Sequence, residues 1–354
     1  MNLFKHKIHI MLGIITILST LLLLGCTNSE AESEPISVTT LQFGTVIQVT
    51  VFHSDDEPAL NKVLEHMGTL ENEMSTSIAD SNVSVFNNAK AMTEIQLGEH
   101  TQKVVERSLY YSELSNGKFD ITIEPIVELW GIGEEHAKIP NQNELNQSLP
   151  KVDYRKLEYN DVTGTLQKTE DGIMIDLGAI AKGYAADEAI RILKEEGVMD
   201  ALVNLGGNVY ALGSKEGFPW KVGIQDPLEP QGAMVGVVDV KDQAVITSGV
   251  YERYFESDGV RYHHLIDPDT GYPINNEILG ISIISASAID GDALSTVIYT
   301  MGLDAGMEMV ESINGVEAIF ITRDKTIYVS TGASEIFDKR NSGYNLISSA
   351  TKEN

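Results

Sequence analysis

Apolar residues recur along this chain with two distinct periods. From Leu41 to His53 they alternate as in a half-buried strand, and from Glu57 to Met74 they follow helical spacing. A second helical pattern runs from about Glu99 to Leu114 and is closed by Ser115, Asn116 and Gly117. Between the two helices, the Ser-, Asn- and Asp-rich stretch from Met74 reads as loop. The residues from Lys118 read as extended, with Pro125 barring a central strand. Residues 133–150 read as exposed loop or short helix, and Leu157 to Lys168 as a hairpin turning at Val162, Thr163 and Gly164.

The second half alternates short strands with glycine turns. From Asp171 a short apolar strand passes through Gly178 into a helix that ends at Gly197. Strand, glycine and helix in that order can offer backbone amides and one ammonium, Lys182, to a phosphate; the same layout also serves as an ordinary strand-to-helix connection. Two glycines inside ALVNLGGNVYALG, from Ala201, predict a tight turn. Strands are expected at Lys221–Gln225, Met234–Val240, Ala244–Thr247, Tyr251–Glu256 and Val260–Ile266, antiparallel because their turns are short. His263 and His264 are adjacent in the last of these, so they face opposite sides of the sheet. DPDTG, from Asp267, follows as a rigid turn. One imidazole delivered to a cleft suits proton transfer; a structural strand histidine fits the pattern equally. Strands from Ile278, at Glu317–Thr322 and at Thr326–Ser330 complete the sheet, and the tail 342–354 is expected to be loose. The whole reads as α+β: mixed, largely antiparallel sheets with packed helices, one large domain over 37–341 or two intimate lobes.

One stretch, AIDGDALSTVIYTMG from Ala288, concentrates polar groups on an apolar helix. If Gly291 opens the helix, Asp292 and Thr296 stand at i and i+4 and point the same way, while Ala293, Leu294, Val297, Ile298 and Met301 form the buried side and Gly302 the stop. A carboxylate and a hydroxyl one turn apart suit a hard cation such as Mg²⁺. The same pair also fits a dipole-favoured helix start and a threonine bonded back to its own turn.

Composition changes this picture in two ways. Lys5 and Lys7 precede an apolar run from Ile10 to Leu24, so residues 1–25 read as a signal peptide. The run ends in Leu-Leu-Gly-Cys, which resembles a bacterial lipobox, and Cys26 is the single cysteine of the chain. Lipidation at Cys26, with 26–36 as a tether, would hold the protein on the extracytoplasmic face of the cell membrane; a plain membrane anchor is the alternative. Residues 1–25 contain two lysines and no acids, so the net charge of −27 becomes −29 without them. That charge argues against nucleic acid as a partner and means that an anionic ligand needs a local cation or backbone donors.

Ten short motifs follow one another in a fixed order: FGT at Phe43, MSTS at Met74, SVFN at Ser84, FDIT at Phe119, LWG at Leu129, DLGAIAKGYAAD at Asp176, NLGGN at Asn204, TSGVYERYF at Thr247, HHLIDPDTG at His263 and GDALST at Gly291. Together they resemble the FAD:protein FMN transferase (ApbE) family of flavin transferase lipoproteins. The resemblance implies a Mg²⁺ ion held by the side chains of Asp292 and Thr296 and the backbone carbonyl of Ala179. It implies FAD contacts from Phe43, Ser77, the triplet Lys118, Phe119 and Asp120, Asp176, Lys182 and, through its backbone, Ile266. It makes His264 the catalytic histidine. Phe43 stands where the family often has methionine, Ser77 where it often has an aromatic residue, and Lys118 and Gly291 where alanine is usual.

The implied reaction is attack by a threonine hydroxyl of a partner flavoprotein on the FMN-side phosphorus of FAD, with release of AMP. The same residues also fit an FAD pyrophosphatase, with water as nucleophile, or a flavin-binding lipoprotein without turnover.

Overall fold

The computed structural model describes residues 34–349. The expected signal peptide over 1–25, Cys26 and most of the tether lie outside the described residues. The main sheet takes nine strands in chain order: β1 (Ile36–Gln42), β2 (Thr45–Val51), β3 (Ala201–Leu205), β4 (Asn208–Leu212), β5 (Gln243–Gly249), β6 (Ile278–Ser285), β7 (Val316–Thr322), β8 (Thr326–Val329) and β9 (Asn345–Ser348). Every neighbouring pair is antiparallel except β8 and β9, which run parallel.

The long insertion between β2 and β3 carries α1 (Glu57–Met74), α2 (Asn82–Asn88), α3 (Glu99–Leu114), α4 (Glu124–Trp130), α5 (Gln142–Ser148) and α6 (Ala181–Glu195). It also holds a small sheet of Ile95–Gln96, Thr165–Lys168 and Leu157–Asn160. Helices α7 (Ala288–Met301) and α8 (Leu303–Ser312) follow β6, and α9 (Ala333–Ile336) follows β8. A second sheet pairs Trp220–Gln225, Met234–Val240 and Phe337–Lys339, and a hairpin pairs Tyr254–Ser257 with Val260–His263. The architecture is α+β with largely antiparallel sheets, as the alternating patterns imply.

Burial explains the layering. On β5, β6 and β7, Ala244, Ile246, Ile281, Ile283, Ala318 and Phe320 face the helices, while Val245, Ile284, Ile319 and Ile321 face the second sheet. These strands are covered on both sides, which is why β6 is mostly apolar, broken only by Ser282 and Ser285, with every residue buried. Helices α6 and α7 pack against each other on the helical side, so the start of each can address the same space.

Several expectations need correction. The segment 41–53 is two strands, because Phe43 (φ 53°) and Gly44 (φ 64°) turn the chain between β1 and β2. The loop expected from Met74 contains α2, whose start is capped by Ser81 accepting from the Ser84 amide. Residues 118–130 are not extended: a 3₁₀ turn leads into α4, and Pro125 sits in its first turn, where a missing N–H costs nothing. No strand leads directly into Gly178; residues 173–177 are irregular chain. Helix α7 opens three residues before Gly291, at Ala288, with Ser287 as its cap. The tail is not loose through Ser348, since β9 pairs with β8 at the sheet edge. Among the described residues no helix is long and apolar enough to cross a membrane.

Candidate active site

The insertions between strands enclose a cleft of about 1710 Å³, larger than the roughly 300–1,000 Å³ of a typical small-molecule pocket. All twelve predicted site residues among the described ones line it: Phe43, Ser77, Lys118, Phe119, Asp120, Asp176, Ala179, Lys182, His264, Ile266, Asp292 and Thr296. A smaller depression of about 660 Å³ between residues 267–277 and 300–305 contains none of them.

Asp292 is the anchor of the site. It is 3% exposed, and its two oxygens have separate partners: the Gly183 amide donates to Oδ2 at 2.8 Å and Asn208 Nδ2 donates to Oδ1 at 3.0 Å. The Lys182 ammonium stands 3.8 Å from Oδ1. Gly183 makes this possible, because a Cβ there would lie 2.3 Å from the Ala288 carbonyl oxygen and 2.7 Å from Asp292 Cβ. The start of α7 is fixed from the same helix: Asp187 accepts from the amides of Ala288 (2.8 Å) and Ile289 (2.9 Å). Burial pushes the Asp187 carboxyl up to about 6, against the pull of those two amides.

The amides at the start of α6 are largely committed. Ile180 and Ala181 donate to the Leu177 carbonyl, and Gly183 donates to Asp292. The backbone phosphate cradle expected near Gly178 is therefore reduced, and the cationic group at that turn is Lys182, which also faces Asp292.

The remaining walls are built by local contacts. Phe43 sits at the β1–β2 tip with its amide donating to Glu71 Oε1 at 2.7 Å. Ser77 lies in the exposed loop after α1, its amide donating to Ser75 Oγ. Lys118 pairs with Asp269 of the DPDTG turn at 2.6 Å, and Phe119 is buried against Tyr111. Asp120 is buried and uses both oxygens locally, accepting from Thr122 N and Oγ1 and from Tyr154 N. It shapes the wall from within. Ile266 is held by a bridge to Pro273.

His263 and His264 do face different surroundings, although the strand ends at His263. His263 is buried with Nε2 2.9 Å from the Ile274 carbonyl, whereas His264 lines the cleft. His264 Nδ1 is 3.3 Å from the Arg253 carbonyl, which can only accept, so Nδ1 carries the proton and Nε2 keeps its lone pair. Burial, then the cations Lys182 and Arg253, push this imidazole down to about 3, so it is neutral at pH 7. Glu252 Oε2 stands 4.0 Å from Nε2; burial, reinforced by Asp292 and opposed by Lys182, raises its pKa to about 7.

Three residues of the site escape sequence reasoning: Asn208, Glu252 and Glu124; Gly183, expected beside Lys182 at the phosphate turn, instead gives its amide to Asp292. Glu124, in the first turn of α4, is half-buried near Asp176, and its pKa is raised by burial and by that second carboxyl. The only local signal for Asn208 is a polar residue in an otherwise apolar strand directly after the Gly206–Gly207 turn.

The donor set around Asp292 suits a hard divalent cation. The Asp292 carboxylate, Thr296 with its hydroxyl and Ala179 with its carbonyl all belong to residues that line the cleft, and all three are oxygen donors. The cleft as a whole is lined by nine acidic residues (Glu71, Asp120, Glu124, Glu128, Glu134, Asp176, Glu229, Glu252, Asp292) and four basic ones (Lys118, Lys182, Arg253, Arg261). An anionic ligand entering such a wall fits best together with a cation.

The chain is similar over most of its length to known proteins. The sequence pattern of the ApbE family matches residues 43–320. An "FAD:protein FMN transferase" of Treponema pallidum is 34% identical over 87% of this chain and 90% of its own. One of Klebsiella pneumoniae is 30% identical over 90% of this chain and 98% of its own. Among solved structures, the ApbE protein of Thermotoga maritima superposes with a TM-score of 0.78 at 30% identity, over 87% of this chain and 100% of that one. The flavin transferase ApbE of Vibrio cholerae gives 0.77 at 27% identity, over 86% and 99%. With its matched segments supplying every wall of the cleft, the chain belongs to the ApbE family.

Proposed function

We propose that the cleft binds FAD and transfers its FMN half to a threonine hydroxyl of a partner flavoprotein, the activity class for which the curated relatives are named. The observation that carries this reading is the meeting, in one cleft, of the buried Asp292 with its oxygen neighbours, the Lys182 ammonium and a neutral His264. The acceptor oxygen forms a bond to the FMN-side phosphorus, the bond from that phosphorus to the bridging oxygen breaks, and AMP leaves with the electron pair. The hydroxyl proton passes to His264 Nε2, whose lone pair is preserved by the bond from Nδ1 to Arg253. Asp292, Thr296 and the Ala179 carbonyl would hold Mg²⁺, which when bound supplies positive charge to the pyrophosphate oxygens. Lys182 adds a second positive group on the same side and orients the phosphates. The cleft's size leaves room beside a dinucleotide for a segment of the acceptor. The Leu-Leu-Gly-Cys motif at Cys26 supports a lipid anchor and an extracytoplasmic location, where the acceptor would also lie.

The test is incubation with FAD, Mg²⁺ and a candidate acceptor flavoprotein, followed by AMP release and acceptor mass. Transfer gives AMP together with an FMN-sized mass gain. AMP without the mass gain means hydrolysis, and neither product means binding only. In Asp292→Ala, metal-dependent turnover is expected to disappear; full activity in that variant would sink the assignment of Asp292.

A further inference from the structure

On the helical side, away from the cleft, three metal-ligating residues meet from three different helices: His66 of α1, His100 of α3 and Glu188 of α6. One donor atom from each lies within 4.8 Å of the other two. None of the three lines the flavin cleft. We propose that His66, His100 and Glu188 form a second metal site, for a divalent transition ion of the Zn²⁺ class, which staples α1, α3 and α6 together.

The chemistry of the donors selects the ion. Two imidazoles and a carboxylate are the ligands of an open tetrahedral zinc site, with the fourth position left to water; they suit Zn²⁺ or Co²⁺ far better than Mg²⁺. The geometry is close to what such an ion needs. His66 Nε2 is already 3.0 Å from Glu188 Oε2, and the rings of His66 and His100 meet edge to face at 4.8 Å between centroids. Ligands at about 2.0–2.1 Å from zinc stand roughly 3.4 Å apart, so the widest separation closes by small side-chain rotations. Both histidines are partly exposed and Glu188 is buried, so an ion can enter from solvent and meet a charged floor.

The surroundings prepare these ligands. The Tyr184 hydroxyl is 2.7 Å from His100 Nδ1 and fixes that ring's orientation, as the outer groups of metal sites do. Arg191 donates to both oxygens of Glu188, at 3.2 Å to Oε1 and most closely at 2.8 Å to Oε2. Burial opposes the charge on Glu188, but Arg191 and His66 outweigh it and keep the carboxyl below its ordinary value. A carboxylate has lone pairs enough for Arg191 and a metal together. The staple would reach the flavin site mechanically, because the far end of α1 contributes Glu71 and Met74 to the cleft and the start of α6 contributes Ala181 and Lys182.

The test uses the purified full chain, stripped with chelator and titrated with Co²⁺ in excess Mg²⁺. Expected is one equivalent of Co²⁺ with a visible d–d band, displaced by Zn²⁺, and a higher melting midpoint when Zn²⁺ is present. His66→Gln and His100→Gln should each weaken binding at least about tenfold and remove the Zn²⁺-dependent rise in melting midpoint. Asp292→Ala should leave both unchanged, which separates this site from the cleft. Absence of a stoichiometric band in the parent overturns the proposal, and so does an unaltered band in folded His66→Gln and His100→Gln.

Discussion

At the scale of single residues, the site depends most on a glycine. Gly183 lets α6 and α7 approach until its amide reaches Asp292, and any Cβ there collides with the Ala288 carbonyl. Gly183→Ala is therefore expected to destabilise the fold by about 1–3 kcal/mol, as overpacking does, and to lower FAD turnover by displacing the carboxylate. Denaturant unfolding and AMP release check the two effects; unchanged turnover would mean that Asp292 does not need that amide. His263 supports a second residue-scale prediction. Burial pushes its pKa down to about 4, and its Nε2–H donates to Ile274. The unfolded chain takes up the proton near pH 6.5 and the folded one near 4, so the contribution is complete above 6.5 and is lost as pH falls through that window, about 3 kcal/mol in all. Unfolding free energies of the parent and His263→Gln, compared from pH 7 to 4, should converge by that amount; a constant difference would refute the linkage. What the sequence discloses at this scale follows the same physics. Asp292 and Thr296 are legible because i and i+4 spacing is local. The bonds of Gly183 and Asn208 to Asp292 are silent because they span 109 and 84 residues.

At the scale of elements, helices α1 and α3 match the expected boundaries, since each carries an apolar stripe that its neighbours bury. The start of α4 and strand β9 were not legible, and for different reasons. Pro125 is compatible with a helix only in its first turn, which depends on where the preceding turn ends. Strand β9 is half-exposed and acquires its conformation from β8, so its own pattern is weak. Its position is secured by Tyr344, which is buried and donates to Asp226 Oδ1 at 2.6 Å, while Asn341 Nδ2 donates to Oδ2 at 3.0 Å. Asp226 begins the loop whose residues 227–232 line the cleft. Tyr344→Phe is thus expected to cost about 1.5–3 kcal/mol, the usual contribution of a hydrogen bond to a charged group. It should also raise KM for FAD with little change in kcat. An unaltered KM would show that the loop holds its place without the tail.

At the scale of the whole molecule, charge and topology act together. A sheet whose strands follow chain order places every long insertion on the same structure, and the cleft forms where those insertions meet. The α+β class is readable from alternating periods; the meeting of insertions is not, because it is set by strand pairing across long separations. The chain carries a net charge of −27 and lines its cleft with nine acids against four basic residues. FAD, itself an anion, approaches against a repulsive field that only short-range groups such as Lys182, and the cation proposed at Asp292, would offset. The association rate of FAD should therefore rise with ionic strength, opposite to an electrostatically steered enzyme. Between about 0.01 and 0.15 M salt the screening length shrinks from roughly 30 to 8 Å, which removes repulsion from the distant surface while leaving contacts inside the cleft nearly intact. Stopped-flow quenching of flavin fluorescence at fixed free Mg²⁺ measures that rate directly. A rate that falls with salt would mean that Lys118, Lys182 and Arg253 dominate the field at the cleft mouth, and that the acidic surface has no part in substrate capture.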